Sequence, residues 1–279
     1  MPISIKERRT RKRGFSGDPE EFRMPLSDHI GELRDRLFRV LAAVTIGWVI
    51  GWIVQPFVYE QLNLVIRRAV EDYSRTHPGF QYDEAWFRVT EPFFFKLRLS
   101  FMIGLGLALP IIVLQIWGFV SPGLKPTERK PIKALAPISV LLFFTGCAFC
   151  WWILPTTLRW FLGYTGDFPG TVVMQEAGSM VFFTLKMMLA FGIGFQLPLV
   201  VFIAGKLGII GPDTLAHYWR HAVVFVFLTS AILTPSGDIF TLLMMATPLS
   251  ILLIISIIAV RLTGKGKRGD AEDALNDLD

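Results

Sequence analysis

Residues 115–130 read QIWGFVSPGLKPTERK. An apolar run closes on Trp117 and Phe119, a Ser-Pro-Gly turn occupies 121–123, and one carboxylate, Glu128, stands among Lys125, Arg129 and Lys130. Long apolar segments flank the stretch on both sides. It therefore reads as a polar connection between two membrane-crossing helices, and the remaining topology can be counted outward from it.

The composition supports that reading. Of 279 residues, 52% are hydrophobic and 18% charged, and the mean hydropathy is +0.49. A water-soluble domain of this size needs more polar surface, so the bilayer is the expected solvent. Apolar windows cover Leu37–Val54, Phe93–Val120, Leu135–Leu154, Met180–Ala204, Ala222–Leu233 and Ile239–Val260. A spanning helix needs about 20 residues; the fifth window is shorter, but without it the loops on either side fall on inconsistent faces. Twenty of the 28 Lys and Arg residues lie in the N-terminal segment, the second and fourth connections and the C-terminal segment. Positive charge accumulates on the cytoplasmic side. The sequence thus predicts an all-α, six-span membrane protein with both termini cytoplasmic. Its expected parts are a disordered basic arm over 1–25, a membrane domain over 26–262 and a charged tail over 263–279. The arm lacks an apolar run that would make it a secretory signal; contact with anionic lipid explains its charge better than nucleic acid does.

Prolines 110, 137, 155, 198, 235 and 248 punctuate the spans. An interior proline removes a backbone bond and bends its helix, so a curved wall is expected. The short fifth span ends at Thr234-Pro235-Ser236-Gly237-Asp238, and a polar hairpin on so short a helix predicts a locally thinned bilayer. Lys96, Arg98 and Lys186 lie near outer span ends, where they can snorkel to the interface. Gln196 sits deeper, two residues before Pro198. It reads equally as an interhelical hydrogen bond or as a polar docking point for another helix. Cys147 and Cys150 fall inside an apolar span, where packing of small residues is the simpler reading. The chain carries no phosphate-binding GxxxxGK[ST] loop, no HExxH and no GxSxG, so neither an enzyme nor a metal site or cofactor is expected.

From the residues alone, Glu128 is either an arginine acceptor or a weak surface ion pair with Arg129 or Lys130, worth under about 1 kcal/mol. Spacing alone favours the ion pair. The longer pattern decides otherwise. His29 with Glu32-Leu33-Arg34-Asp35-Arg36-Leu37, Thr90-Glu91-Pro92-Phe93-Phe94, and Gln115-x-Trp117-x-Phe119-x-x-Pro122-Gly123-Leu124 with Glu128-Arg129 come first. Ala190-Phe191-Gly192 with Phe195-Gln196-Leu197-Pro198, and Leu233-Thr234-Pro235 with Asp238, follow in order. Together they resemble the TatC family, the multispanning core subunit of the twin-arginine protein translocase.

The resemblance implies Sec-independent translocation of folded proteins across the bacterial inner membrane, driven by the proton-motive force. It implies an oligomeric complex with TatA- and TatB-type single-span partners, and precursors whose signal peptides carry consecutive arginines. Glu128, Phe119 and Pro122 would bind the signal peptide, assisted by Glu32 and Arg34 at the lead into the first span. Gln196, Thr234 and Asp238 would serve partner docking or cap stability. A carboxylate suits this role, because the planar guanidinium of Arg binds it bidentately and the ammonium of Lys does not. The chain departs from the family where many members carry Glu and it carries Gln196, which cannot hold a proton. Its first outer connection, 55–91, is also longer than expected. The rival reading, a small-solute secondary transporter, expects ionisable groups near the midplane or inverted repeats, and neither is evident.

Overall fold

The computed structural model describes residues 26–120, 126–168, 170–206, 210, 211, 214 and 217–276. Among the described residues, seven α-helices follow one another as α1 Leu26–Thr76, α2 Glu91–Val120, α3 Pro126–Gly163, α4 Ser179–Gly194, α5 Leu197–Lys206, α6 Trp219–Leu233 and α7 Ile239–Asn276. Two short strands, β1 Tyr82–Ala85 and β2 Val173–Glu176, lie in the connections after α1 and α3. The strands define one end of the molecule, the sheet end. The opposite end holds the start of α1, the close of α2, the start of α3 and the close of α7, and is called the basic end.

The helices α1, α2, α3 and α7 and the pair α4–α5 are each long and apolar enough to cross a membrane; α6 is the short one. Its 15 residues cover roughly 22 Å, less than the ~30 Å of a hydrocarbon core. The fourth span is divided. Residues Phe195 and Gln196 form a turn, and α5 restarts at Leu197 one residue before Pro198, a first-turn position where proline fits. Proline also lies inside α1, α2 and α7, as Pro56, Pro110 and Pro248.

The strongest neighbour relations among the described residues run α2–α1–α3–α4 and, from the other side, α6–α7–α5, with α2 also against α3, α1 and α2 against α4, α4 against α6 and α3 against α7. Burial differs between the spans: half of the span window in α4–α5 is inside the protein, against 11% for α1. Apolar side chains of α1 such as Ile46, Val49 and Ile53, and of α6 such as Val224, Leu228 and Ile232, are correspondingly exposed, as lipid contact requires. Two cores sit side by side. One joins Leu62, Ile66, Leu99, Ile103, Leu154, Leu158 and Val181 across α1–α4. The other joins Cys150, Met187, Phe191, Val226, Met245, Leu249 and Leu253. Cys150 is thus a packing residue, and Cys147 donates its thiol to the Met188 carbonyl at 3.5 Å; both remain free cysteines.

Helices α1 and α2 meet through small residues. A Cβ on Gly51 would stand 2.2 Å from the Ser100 carbonyl oxygen, and one on Gly104 would stand 2.5 Å from the Trp48 nitrogen. Apolar lipid tails offer helices no hydrophobic drive to associate, so close backbone approach of this sort holds them together.

The largest departure from the sequence reading is the length of α1. Its 51 residues extend for roughly 76 Å, more than twice the hydrocarbon thickness. The expected first outer loop begins as helix and remains so to Thr76, which places Arg67, Arg68 and Arg75 on α1. Beyond the apolar window, Leu62, Ile66, Ala69 and Tyr73 recur at helical spacing and are buried, while Glu60, Arg67, Arg68 and Glu71 are exposed. That is the stripe of an amphipathic helix lying on protein.

The sheet was also unforeseen in an all-α reading. β1 and β2 pair in parallel, Tyr82 opposite Val173 through Ala85 opposite Glu176. Arg159 of α3 pairs with Asp72 of α1 beside it, so the sheet and this ion pair tie the α1–α2 and α3–α4 connections into a cap. The Tyr82 hydroxyl donates to Glu84 at 2.8 Å, and burial followed by that carboxylate pushes its pKa above the ordinary tyrosine value. At the other end of the chain α7 continues through the charged tail to Asn276. The basic arm, 1–25, lies outside the described residues.

Candidate functional site

The first turns of α1 and the last turns of α2 converge at the basic end. Glu32 and Arg36 are four residues apart on α1 and so share one face. Arg36 donates to Glu32 Oε1 from Nε at 3.1 Å and from Nη2 at 2.5 Å. Its Nη1 reaches across to α2, 3.4 Å from both the carbonyl oxygen and Oε1 of Gln115. Side-chain exposure is 18% for Arg36 and 23% for Glu32, so the pair is sheltered enough to be screened little by salt. Gly118 makes room for it, since a Cβ there would stand 2.1 Å from Arg36 Nη1.

The decisive detail is the other carboxylate oxygen. Glu32 Oε2 is buried and has no hydrogen-bond partner among the described residues. A buried acceptor left unmade costs about 1–3 kcal/mol, so this oxygen is a place where a donor would be welcome. Phe119, half-buried, follows Gln115 by one turn of α2. Arg34 points elsewhere: its side chain is 71% exposed and contacts Asp35 at 3.4 Å.

Glu128 differs from the sequence reading in its setting. α3 begins at Pro126, which makes Glu128 the third residue of a helix rather than a loop residue. A carboxylate in the first turn is favoured by the helix dipole. Its side chain, and the whole of Pro122, lie outside the described residues.

The three intramembrane and hairpin residues lie apart from this site. Gln196, at the α4–α5 break, accepts from Ser139 Oγ at 2.6 Å and donates Nε2 to the Ser139 carbonyl at 2.9 Å. Both ends of its amide are thus engaged by α3. Thr234 closes α6 by donating Oγ1 to the Ser230 carbonyl at 2.8 Å. Asp238 caps the N-terminus of α7: Oδ1 accepts from the Thr241 N–H at 2.8 Å, and Oδ2 accepts from the Thr241 hydroxyl. Burial raises the Asp238 carboxyl, but hydrogen bonds from Ser236, Thr241 and backbone N–H outweigh it and hold its pKa below the usual value.

Arg36 and Gly118 were not singled out in the sequence, although the i, i+4 spacing of Glu32 and Arg36 could have paired them. Ser139 carried no signal at all. It is one small polar residue in an apolar helix, and only folding shows that it faces Gln196. Among the described residues, no group of three or more His, Cys, Asp or Glu side chains could hold a metal ion.

The six apolar spans, with a polar site where the first two meet, define a multi-pass membrane protein. Residues 28–248 match the family model of the Sec-independent protein translocase protein TatC. A TatC of Desulforapulum autotrophicum is 34% identical over 263 residues, 93% of each chain. A TatC of Aquifex aeolicus is 32% identical over 246 residues, 88% of this chain and 98% of that one. A crystal structure described as "Twin Arginine Translocase Receptor- TatC" is similar at a TM-score of 0.66 and 32% identity, covering 84% of this chain and 98% of that one. The chain belongs to the TatC family of Sec-independent protein translocase proteins, which sets the small-solute transporter reading aside. It is a multi-pass protein of the bacterial inner membrane.

Proposed function

We propose that this chain is a receptor for twin-arginine signal peptides and the assembly core of a translocase, with the basic end on the cytoplasmic side. The observation that carries the proposal is Glu32: one oxygen holds Arg36, and the other is buried without a partner among the described residues. A guanidinium is already accepted there, so a second one from a peptide meets a site of matching charge and shape. Arg36 acts as a resident guanidinium that holds Glu32 oriented when no peptide is bound. Two consecutive arginines require more than one acceptor, and Glu128 supplies the second from the start of α3. Phe119 and Pro122 offer apolar contact to the residues beside the pair.

Gln196, Thr234 and Asp238 are better read as supports than as free docking groups, because each already spends its hydrogen bonds within the chain. A single-span partner of the TatA or TatB type would pack on the exposed apolar faces of the spans. Gln196 carries no ionisable proton, so coupling to the proton-motive force would run through other groups.

The test is binding of a labelled twin-arginine signal peptide to the purified protein. Glu128→Lys should reduce affinity by more than about tenfold, because a charged pair is replaced by like-charge repulsion. Unchanged affinity in that variant would defeat the receptor reading.

A further inference from the structure

Two cavities meet at the sheet end. The larger, about 550 Å³, lies beneath the β1–α2 connection, with Trp86, Arg88, Glu91 and Glu176 in its lining. The smaller, about 430 Å³, is a groove against Trp48, Leu97, Phe101 and Met102. Arg98, Phe182 and Lys186 border both. Arg98 is the eighth residue of α2 and Lys186 the eighth of α4, so the two cations reach the same boundary from roughly 10 Å inside their respective helix starts.

The charges at this boundary do not balance. Arg98 and Lys186 are exposed, and neither forms an ion pair with a described residue. Glu91, which shares the larger cavity, is engaged by the Phe87 N–H at 2.8 Å and lies 3.9 Å from Arg88. Glu176 is exposed on β2. The groove itself is lined by two cations and no carboxylate. Lys96, the third basic residue of this region, is taken up by cation–π contact, with Nζ 4.7 Å from the centre of the Trp52 ring. Snorkelling brings a basic side chain to the interface, but it does not explain why two cations from different helices converge on the mouth of one apolar groove.

We propose that Arg98 and Lys186 hold the phosphate of an anionic phospholipid whose acyl chain lies along Trp48, Leu97, Phe101 and Met102. The headgroup supplies the charge that the protein lacks at this boundary. The groove accounts for the lipid in place of a free phosphate, because it continues from the cations as an almost wholly apolar channel. Trp48 and Phe101, packed edge to face with centroids 5.8 Å apart, provide a firm wall for the chain. A lipid so held would bridge α1, α2 and α4, adding a contact to α1, whose span window is 11% buried against 33% or more in the other long spans.

The experiment is native mass spectrometry of the full chain released from detergent containing phosphatidylglycerol or phosphatidylcholine with the same acyl chains. The wild type should retain one phosphatidylglycerol in preference. Each cation near a membrane surface contributes a factor of about five in affinity for anionic lipid. Arg98→Gln or Lys186→Gln alone should therefore lower the preference about fivefold, and both together by more than tenfold. Arg75→Gln, at the same end, should leave it unchanged, and Arg98→Lys should preserve most of it. Melting in phosphatidylcholine reports that the variants are folded, and either single variant suffices if the double does not fold. An unchanged preference in the folded variants overturns the proposal. So does glycerol phosphate, without acyl chains, competing as well as the intact lipid.

Discussion

Glu32 and Asp238 are both carboxylates beside a helix end, at opposite faces of the same protein, and their surroundings differ in one respect. Asp238 has both oxygens occupied by Thr241, with Ser236 2.6 Å from the Thr241 hydroxyl. Glu32 has one oxygen occupied by Arg36 and the other buried without a partner among the described residues. A saturated carboxylate fixes structure; an unsaturated one can accept a ligand. The Gln196–Ser139 pair belongs with Asp238 on this criterion, since both of its amide atoms are used.

The contrast breaks if Glu32 proves structural. Glu32→Gln should lower affinity for a twin-arginine peptide about tenfold, the scale of one hydrogen bond to a charged group, while the melting temperature moves little. A large fall in melting temperature with unchanged peptide affinity would place Glu32 in the same class as Asp238. Gly118→Ala is subtler. The new methyl group meets Arg36, displaces it from Gln115 and should weaken peptide binding severalfold without touching either carboxylate; isothermal titration would measure it.

Asp238→Ala should do the reverse. Loss of an N-cap costs about 1 kcal/mol of stability, read from thermal unfolding in detergent, and peptide affinity should not change. The same residue gives a pH signature. Its folded-state pKa lies below the ordinary value, so its contribution is fully present above the unfolded pKa of about 4 and is lost as pH falls through the lower folded value. Unfolding midpoints followed from pH 5 downward should fall less steeply in Asp238→Ala than in the wild type. The smallest effect is expected at Gln196: a double-mutant cycle of Gln196→Leu with Ser139→Ala should give a coupling of roughly 0.6 kcal/mol, the average for hydrogen bonds inside membranes.

These regions also differ in how readable they were. The spans were legible because roughly 20 successive apolar residues have few other uses. The extension of α1 was not, because the continuous apolar run stops near Val54 and only the stripe of Leu62, Ile66, Ala69 and Tyr73 carries on; a window that averages hydropathy cannot see a stripe. The β1–β2 pair joins two four-residue segments about ninety positions apart, and such short segments carry too little pattern to announce a partner. At the candidate site, the acidic residues were visible as carboxylates among basic neighbours. The partners that distinguish them were not, because Gln115, Gly118, Ser139 and Thr241 acquire meaning only through contacts made in the fold.

The central claim is that carboxylates at the basic end select guanidinium. Its most direct measurement is the affinity of the purified wild-type protein for one signal peptide carrying Arg-Arg and for the same peptide carrying Lys-Lys. Bidentate acceptance predicts that the arginine form binds more than about tenfold tighter, and that Glu32→Gln narrows the ratio. Equal affinity for the two peptides would contradict the account.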